Sequence, residues 1–274
     1  MYFEAGKYKL DLSKKTYIMG ILNVTPDSFS DGGKYFDAKL AINRAFEIEK
    51  LGADILDIGA QSSRPGFTRI SPEQELKRIT PVLKRLKNKI NIPISVDTFY
   101  PKVACAALEY DIDIINDVNG FKDLEMFKIA SKSNCGIIIM HNLIDLTKEN
   151  NINLVNNIDI LNFFKNLIKK AEEYKIRKNR ICLDPGIGFG KDLANNLRIL
   201  ANIPEFKIKD YAFLIGASRK RVIGELTGDK RKYGTIAAHS IANFLGANII
   251  RTHDIEESIQ ALAVIDGIRK YARN

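Results

Sequence analysis

The chain has 274 residues, of which 45% are hydrophobic and 27% charged, and its formal net charge is +9. This composition excludes an intrinsically disordered chain, and the length suits one α/β barrel of about 250 residues. No apolar segment approaches the ~20 residues of a membrane span. The N-terminal residues lack the apolar region of a signal peptide, so we expect a cytosolic protein without membrane contact.

The positive charge has two interpretations. It is typical of a solvated, lysine-rich surface, and it also favours an anionic partner, either nucleic acid or a small phosphorylated substrate. No helix-turn-helix, zinc-finger or RNP pattern accompanies the charge, so we expect a small-molecule substrate and no nucleic acid. Three cysteines and three histidines are too scattered to predict a zinc site or a disulfide framework.

The predicted elements begin with a short hairpin over residues 1–16, with Gly6 at its turn. From Tyr17 onward a pattern repeats, in which a short apolar run ends and a polar residue or glycine follows at once. Eight runs occur, in the order YIMGIL, DILDI, IPISV, DII, GIIIM, RICL, AFLI and NII. Continuous apolar runs of this kind are typical of strands buried on both faces of a parallel sheet.

Segments with helical periodicity lie between the runs. One of them, SPEQELKRITPVLKRL, begins with Ser71 as the expected N-cap and Pro72 at the first helical position. Alternation of strand and helix predicts an α/β fold, and eight units predict a single-domain (β/α)8 TIM barrel over residues 17–274, with the hairpin closing one end. A doubly wound sheet is the alternative, because strand order cannot be read from one sequence.

In a (β/α)8 barrel the active site lies at the carboxyl ends of the strands. The polar residues that follow the runs should therefore converge there, together with a long loop rich in glycine, proline and serine that starts at Asn23. The side chains expected to converge are Asp97, Asn116, Asp184, Lys220 and Arg251. This mixture of carboxylate and amide groups with cations suits a neutral polar heterocycle that carries an anionic tail.

Eight collinear motifs resemble the dihydropteroate synthase family, from about Tyr17 to Asp254. They are GILNVTPDSFSDGG, DIGAQSSRPG, SVDT, INDVNG, MH, DPGIGFGK, GASRKRVIG and IIRTHD. The resemblance implies a pterin-binding TIM barrel, usually dimeric, that functions in folate biosynthesis. It implies the condensation of 6-hydroxymethyl-7,8-dihydropterin diphosphate with p-aminobenzoate to 7,8-dihydropteroate and diphosphate, with Mg²⁺ on the diphosphate and sulfonamides as inhibitors.

The resemblance also implies roles for individual residues. By resemblance, Asn23 contacts Mg²⁺. Three residues are implied in catalysis: Asp27 and Asp31, which belong to the loop that closes over substrate, and Lys220. Asp184 offers two carboxylate oxygens to adjacent N–H donors of the pterin. The residues implied in substrate binding are Ser63, Arg64, Asp97, Asn116, Met140, Asp184, Phe189, Lys220, Arg251 and His253.

Within this set, Phe189 belongs to the p-aminobenzoate pocket by resemblance. Arg251 and His253 alternate along an extended segment, so both should point the same way and could bind one diphosphate. Structural roles are the alternative for several residues: Asp97, Asn116 and Asp184 could cap the following helices, and turn chemistry could explain Asn23. Arg219 has no clear role in the sequence and could be structural.

The second loop departs from the family pattern Gly-Glu-Ser-Thr-Arg-Pro-Gly, because residues 60–66 read AQSSRPG. Ser63 keeps the hydroxyl group and loses a methyl group, and Gln61 loses a charge. No cysteine, serine or lysine stands beside an obvious base, so we expect no covalent enzyme intermediate. The resemblance instead implies a dissociative reaction in which the aryl amine attacks a cation-like methylene group.

One rival enzyme is a pterin-dependent methyltransferase of the same barrel family, which transfers a methyl group to a corrinoid protein. It would share the carboxylates that bind the pterin but would need no cationic site for a diphosphate. The SRK and RTHD motifs therefore argue against it. The other rival, a non-enzymatic nucleic-acid-binding protein, rests only on the positive charge.

Overall fold

The computed structural model describes residues 1–24, 34–61, 69–143 and 157–271. An antiparallel hairpin comes first, formed by β1 (Tyr2–Ala5) and β2 (Tyr8–Asp11). Eight parallel strands follow. They are β3 (Tyr17–Asn23), β4 (Ile55–Gly59), β5 (Ile94–Asp97), β6 (Ile114–Asp117), β7 (Gly136–Met140), β8 (Ile181–Asp184), β9 (Ala212–Ile215) and β10 (Ile249–Thr252).

Helices separate the barrel strands and cover the outside of the sheet. They are α1 (Lys34–Lys50), α2 (Pro72–Leu86), α3 (Pro101–Leu108), α4 (Leu124–Ser131), α5 (Asn157–Glu173), α6 (Leu193–Ala201), α7 (Ile203–Phe206), α8 (Arg221–Thr227), α9 (Arg231–Phe244) and α10 (Ile255–Tyr271). Helix α2 begins as expected: the Ser71 hydroxyl accepts the Gln74 N–H at 3.2 Å, and the Gln74 side chain accepts the Ser71 N–H at 2.8 Å. This reciprocal capping box fixes where the helix starts.

The parallel strands form a closed barrel in the order β3 to β10, because β10 pairs with β9 on one side and with β3 on the other. The prediction of a TIM barrel with an N-terminal hairpin is confirmed, and the alternative of a doubly wound open sheet is wrong. No helix within the described ranges is both long and apolar enough to cross a membrane.

The barrel interior is apolar at the end where the strands begin, and the hairpin closes that end. Phe3 is fully buried against this interior, and Gly6 (φ +58°) makes the turn that brings β2 back beside β1. The hairpin and the strands contribute to one cluster, which includes Phe3, Ala5, Leu10, Met19, Ile55, Ile114, Ile138, Cys182, Leu214 and Ile249. A packed apolar floor leaves the other end of the barrel for polar side chains.

Candidate active site

Most of the predicted site residues within the described ranges lie at the carboxyl end of the barrel. Strand register sets Asp97 beside Asn116 across β5 and β6, and Met140 beside Asp184 across β7 and β8. Asn23 ends β3 and is half-buried, while Phe189, Lys220 and His253 lie on the segments that follow β8, β9 and β10. Four predicted residues lie outside the described residues: Asp27, Asp31, Ser63 and Arg64.

Strand periodicity explains why polar groups form a layer above the apolar floor. Alternate residues of a strand face the same way, so the residue two positions after an inward apolar side chain also faces the barrel interior. The pairs are Ile55 with Asp57, Ile114 with Asn116, Cys182 with Asp184, and Ile249 with Arg251. Each apolar run therefore ends by presenting a polar group at the mouth of the barrel.

Arg251 joins two carboxylates in this layer. Its Nε donates to Asp57 Oδ2 at 2.6 Å and its Nη2 donates to Asp97 Oδ2 at 2.9 Å. The amide of Asn116 lies 3.4 and 3.3 Å from the two Asp57 oxygens. The Asp57 side chain is 0% exposed, that of Asp97 9% and that of Arg251 19%. A guanidinium group has five N–H donors, so three remain for other acceptors.

Electrostatics couples the groups of this network. Burial raises the pKa of Asp97, Arg251 opposes that shift, and Asp57 adds to it. Burial lowers the pKa of Arg251, but Asp57 and Asp97 outweigh it and the net shift is upward. Arg251 therefore stays charged and holds two acidic groups in place. Arg251 was predicted to bind the diphosphate, and only the N–H donors that do not contact Asp57 or Asp97 remain for that role.

None of the three residues predicted to bind the pterin, Asp97, Asn116 and Asp184, caps a helix. The N-cap of α3 is Tyr100, the N-cap of α4 is Asp123, and the N-cap of α6 is Asp192, whose carboxylate accepts the Asn195 N–H at 2.8 Å. The alternative interpretation of Asp97, Asn116 and Asp184 as helix caps is therefore wrong. Their side chains are committed to the barrel mouth instead.

Asp184 is buried and keeps one oxygen available. Its Oδ1 accepts the Gly186 N–H at 2.7 Å, while Oδ2 accepts no hydrogen bond from the described residues. Burial raises the pKa of Asp184, and the Lys220 charge and the Gly186 N–H oppose that shift. A carboxyl group with an unused acceptor oxygen is suited to a ligand that brings N–H donors.

Lys220 and Phe189 lie together beside Asp184. The Lys220 ammonium donates to the Ile187 carbonyl and stands 4.6 Å from the centre of the Phe189 ring. Burial lowers the pKa of Lys220 to about 8, against the opposing charge of Asp184. The ammonium therefore stands over an aromatic face, and the cation–π contact and the nearby Asp184 charge both oppose the lowering of its pKa by burial.

Two side-chain pairs connect the segment after β9 with the segment after β10. The Ser218 hydroxyl lies 2.9 Å from His253 Nδ1 and accepts the His253 backbone N–H at 3.1 Å. Arg219, in the left-handed region at φ +54°, forms an ion pair with Asp254. The expectation that no serine stands beside a base is wrong for Ser218, which contacts the imidazole of His253. The sequence did not show this pair because the two residues are 35 positions apart in the chain. The structural interpretation of Arg219 fits its ion pair.

Gln61 spans the two ends of the second loop. Its side-chain oxygen accepts the Ile70 N–H at 2.8 Å, so it connects the end of β4 to the residues just before α2. An amide oxygen can accept this hydrogen bond in place of a carboxylate oxygen, because the donor is a neutral backbone group. The loss of charge at this position therefore leaves the contact in place.

Glu75 is a buried acid near this layer, in the first turn of α2. It is 1% exposed, and neither carboxylate oxygen reaches hydrogen-bond geometry with a partner among the residues that the structure describes. Burial raises its pKa to about 7, with Thr98 and Arg78 opposing. Because the folded-state pKa is raised, the acid stabilises the fold at low pH and this contribution is lost as the pH rises from about 4.5 to about 7.

Glu75→Gln should remove the loss of folding stability that ionisation of Glu75 causes as the pH rises. Relative to the unchanged chain, the variant should gain about 1–3 kcal/mol in free energy of unfolding between about pH 5 and pH 8. Urea unfolding at both pH values measures the change. Glu73→Gln is the matched control, because a hydrogen bond from Lys102 lowers the pKa of the exposed Glu73 to about 2, and its removal should bring no gain. Equal behaviour of the two variants would contradict the burial argument.

Comparison with known proteins agrees with this geometry. A family model described as "pterin binding enzyme" matches residues 19–253. The dihydropteroate synthase of Clostridium beijerinckii is 41% identical over 266 residues, which cover 95% of this chain and 97% of that protein. The chain belongs to the dihydropteroate synthase family. It is accordingly a transferase of folate biosynthesis, and the methyltransferase and nucleic-acid-binding alternatives have no support from these relatives.

Solved structures of dihydropteroate synthases share the fold closely. The Clostridium difficile enzyme, crystallised in the presence of pteroic acid, has a TM-score of 0.88 and 41% identity, covering 94% of this chain and 98% of its own. The Xanthomonas albilineans enzyme with 4-aminobenzoic acid has a TM-score of 0.87 and 37% identity, covering 95% of each chain. The Yersinia pestis enzyme in a sulfonamide complex has a TM-score of 0.88 and 35% identity, covering 98% of this chain and 100% of its own.

Sequence reasoning did not single out several charged residues that are buried in this dihydropteroate synthase, among them Asp57, Glu75 and Lys191. Asp57 carried a signal, because an acid inside the apolar run DILDI must face either the barrel interior or the helices. Glu75 looked like an ordinary acid in the first turn of a helix, and Lys191 looked like the end of a glycine-rich loop. Depth below the surface is what distinguishes these two, and one sequence does not give it.

Proposed function

We propose that the chain condenses 6-hydroxymethyl-7,8-dihydropterin diphosphate with p-aminobenzoate, forming 7,8-dihydropteroate and releasing diphosphate. The observation that carries this proposal is the polar layer at the barrel mouth, where Asp97, Asn116 and Asp184 meet the cations Lys220 and Arg251. The ligands in the related crystal structures support it. Incubation with both substrates should yield a product with the mass of 7,8-dihydropteroate, and its absence would reject the proposal.

In this proposal carboxylate and amide groups bind the edges of the pterin ring. Asp184 accepts N–H groups of the pyrimidinone edge through its unused oxygen, while the backbone of Gly186 fixes the orientation of the carboxylate. Asp97 and Asn116 read the other edge from their neighbouring strands. Met140, buried beside Asp184 in the strand register, lines the apolar side of the ring. A planar heterocycle with donors on its edges fits such a set of acceptors.

The cations act on the anionic tail and the second substrate. His253, the remaining donors of Arg251 and the predicted Arg64 bind the diphosphate, and Lys220 connects the pterin end to the p-aminobenzoate end. Phe189 and Ser63 complete the p-aminobenzoate pocket. Asp27 and Asp31 are proposed to stabilise positive charge at the reacting methylene group. Stabilising the leaving diphosphate and this developing charge lowers the barrier to carbon–oxygen bond cleavage.

The Ser218–His253 pair does not change the proposed reaction to a covalent one. The Ser218 oxygen already accepts the His253 backbone N–H, and the Asp254 carboxylate forms an ion pair with Arg219. We propose that Ser218 instead orients His253 toward the diphosphate.

Mg²⁺ is proposed as the cofactor, bound mainly by the diphosphate. Within the described ranges, no group of three histidine, cysteine or acidic side chains could hold a metal ion. The half-buried Asn23, at the end of β3, supplies one amide oxygen. That donor set fits Mg²⁺, which commonly takes most of its shell from phosphate and water. When bound, the ion would neutralise charge on the leaving group.

Removing divalent metal should abolish the reaction. EDTA is expected to stop product formation, and added Mg²⁺ is expected to restore it. The measurement is the rate of 7,8-dihydropteroate formation in metal-depleted buffer, with dilution of the chelator as the control for damage to the protein. A full rate without divalent metal would contradict the proposed cofactor.

Sulfonamides should compete with p-aminobenzoate. They share its aryl amine, and the Thr-to-Ser difference at Ser63 removes one methyl group, worth about 0.8 kcal/mol if fully buried. That is less than a factor of ten and affects both ligands alike. Steady-state inhibition should be competitive with p-aminobenzoate and strongest with the pterin diphosphate bound. Inhibition that persists unchanged at saturating p-aminobenzoate would place the drug elsewhere.

A homodimer in the cytosol is the proposed state. Helices α9 and α10 expose apolar side chains at helical spacing, and these are candidates for a subunit contact. The exposed residues are Tyr233, Ile241 and Phe244 on α9, and Val264, Ile268 and Tyr271 on α10. Sedimentation velocity should give twice the chain mass of 30.9 kDa, and a monomer at micromolar concentration would contradict the proposal. Cell fractionation tests the location.

A further inference from the structure

Lys191, the last residue of DPGIGFGK, is a buried cation bound by backbone carbonyl groups. It is 3% exposed, and its Nζ donates to the carbonyl oxygens of His141 at 3.2 Å, Gly186 at 2.9 Å and Phe189 at 3.2 Å. An ammonium group has three N–H donors, so all of them are used. Burial lowers its pKa to about 7, while the Asp184 carboxylate opposes that shift.

These three carbonyls belong to two different loops. His141 follows β7, whereas Gly186 and Phe189 follow β8. The approach is close, because a Cβ atom on Gly186 (φ +68°) would lie 2.0 Å from the His141 oxygen. Residues 185–191 lie beyond the end of β8 and are not in the barrel ladder. Apart from the Phe189 N–H, which donates to the Gly186 carbonyl at 3.2 Å, the backbone groups of this segment depend on partners outside the ladder.

Asn196 of α6 holds the same segment from the other side. Its Oδ1 accepts the Gly188 N–H at 2.7 Å, and its Nδ2 donates to the Lys191 carbonyl at 3.0 Å and to the Asp192 carbonyl at 2.8 Å. Lys191 and Asn196 together bind backbone groups at five positions of this segment, namely Gly186, Gly188, Phe189, Lys191 and Asp192. The loop is consequently built as a rigid platform rather than as a flexible connection.

The platform carries groups of the candidate site. The Phe189 ring lies below the Lys220 ammonium, and the Ile187 carbonyl accepts that ammonium. Lys191 holds the carbonyl of Phe189 itself. Asp184, by contrast, is fixed by strand β8 in addition to its bond from Gly186. Loss of Lys191 should therefore move Phe189 more than Asp184.

We propose that Lys191 is a positioning residue for the p-aminobenzoate end of the site, acting through the backbone of Phe189. The inference rests on the proposed function, because p-aminobenzoate is the substrate assigned to Phe189. Lys191 does not touch substrate itself, since it is buried and all three of its donors are used. Its effect is on the fit of the second substrate rather than on the pterin.

Arg180 provides a matched control at the opposite end of the same strand. It precedes β8, is 5% exposed, and donates to the carbonyls of Cys135 at 2.8 Å and Ala130 at 2.7 Å. Arg180→Met and Lys191→Met each remove a buried cation that binds backbone carbonyls. If Lys191 only stabilises the fold, both variants should have a lower melting temperature, and both should keep the substrate KM values of the unchanged chain.

The test measures KM for p-aminobenzoate and the pterin diphosphate dissociation constant in both variants. Lys191→Met should raise KM for p-aminobenzoate about tenfold or more, with pterin affinity within about threefold of the unchanged chain. Arg180→Met should leave both values within about threefold. KM does not depend on the folded fraction, and Lys191→Gln, which keeps amide donors, replaces the methionine variant if that fails to fold.

The outcomes separate the two proposals. Unchanged KM for p-aminobenzoate in the Lys191 variants, with turnover by the unchanged chain, would overturn the positioning role and leave the proposed function standing. An equal rise in KM in the Arg180 variant would also overturn it, because any buried cation would then have the same effect. An unchanged chain that forms no 7,8-dihydropteroate would overturn the proposed function and this inference together.

Discussion

Replacing Arg251 by methionine is expected to lower the free energy of unfolding by about 3–5 kcal/mol near pH 8, because breaking a buried ion pair leaves uncompensated charge. In this chain the substitution leaves two charges, the carboxylates of Asp57 and Asp97. Burial raises the pKa of Asp97, and removing the guanidinium charge that opposes this shift should let Asp97 take up a proton in the folded state more readily than in the unfolded state. The loss should therefore shrink as the pH falls toward about 5.

Urea unfolding at both pH values measures this effect. The control is Arg221→Met, because Arg221 is 74% exposed and pairs with Glu225 on the surface of α8. Exposed pairs contribute about 0–1 kcal/mol, so the control should change little and without this pH dependence. A loss in the Arg251 variant as small as in the control would mean that the Asp57–Arg251–Asp97 network does not hold the barrel mouth together.

Asp184→Asn is expected to weaken pterin binding at least tenfold while the fold remains intact. The change sets an amide N–H₂ group against ligand N–H donors and removes a charge-assisted hydrogen bond. Loss of one partner of a buried charged hydrogen bond costs about 2–5 kcal/mol, and about 1.4 kcal/mol is already tenfold. Isothermal titration calorimetry with the pterin diphosphate measures the dissociation constant, and circular dichroism checks the fold.

Asp192→Asn is the matched control for this prediction. Asp192 lies in the same loop and caps α6, and asparagine caps helices about as well as aspartate. Its substitution should therefore leave both stability and pterin affinity nearly unchanged. Pterin affinity that stays the same in the Asp184 variant would mean that this carboxylate only orders the Gly186 backbone.

The barrel was predictable because its signal is local and repeated. Buried parallel strands give continuous apolar runs, and even the three-residue run DII contains the first two residues of β6. The strand ends were predictable for the same reason, since a polar residue directly after a run marks the carboxyl end of the barrel. Asp97, Asn116 and Asp184 lie there because each ends or nearly ends its strand.

The partners of these residues were not predictable, because they depend on contacts between distant strands. Arg251 was expected to serve a diphosphate, but Asp57 lies 194 positions earlier in the chain and reaches it only when the barrel closes. Ser218 and His253 meet in the same way. Burial was the other missing quantity: Glu75 lies on a helix whose periodicity was evident, but the sequence did not indicate that this acid would be buried close enough to Asp97 to affect its pKa.

The most direct test of the central claim is a coupled assay of diphosphate release from 6-hydroxymethyl-7,8-dihydropterin diphosphate, run with and without p-aminobenzoate. The proposed condensation predicts that release requires p-aminobenzoate and matches the formation of 7,8-dihydropteroate mole for mole. Release at the same rate without p-aminobenzoate would instead indicate hydrolysis of the diphosphate, and no release under either condition would mean that the polar layer at the barrel mouth serves another substrate.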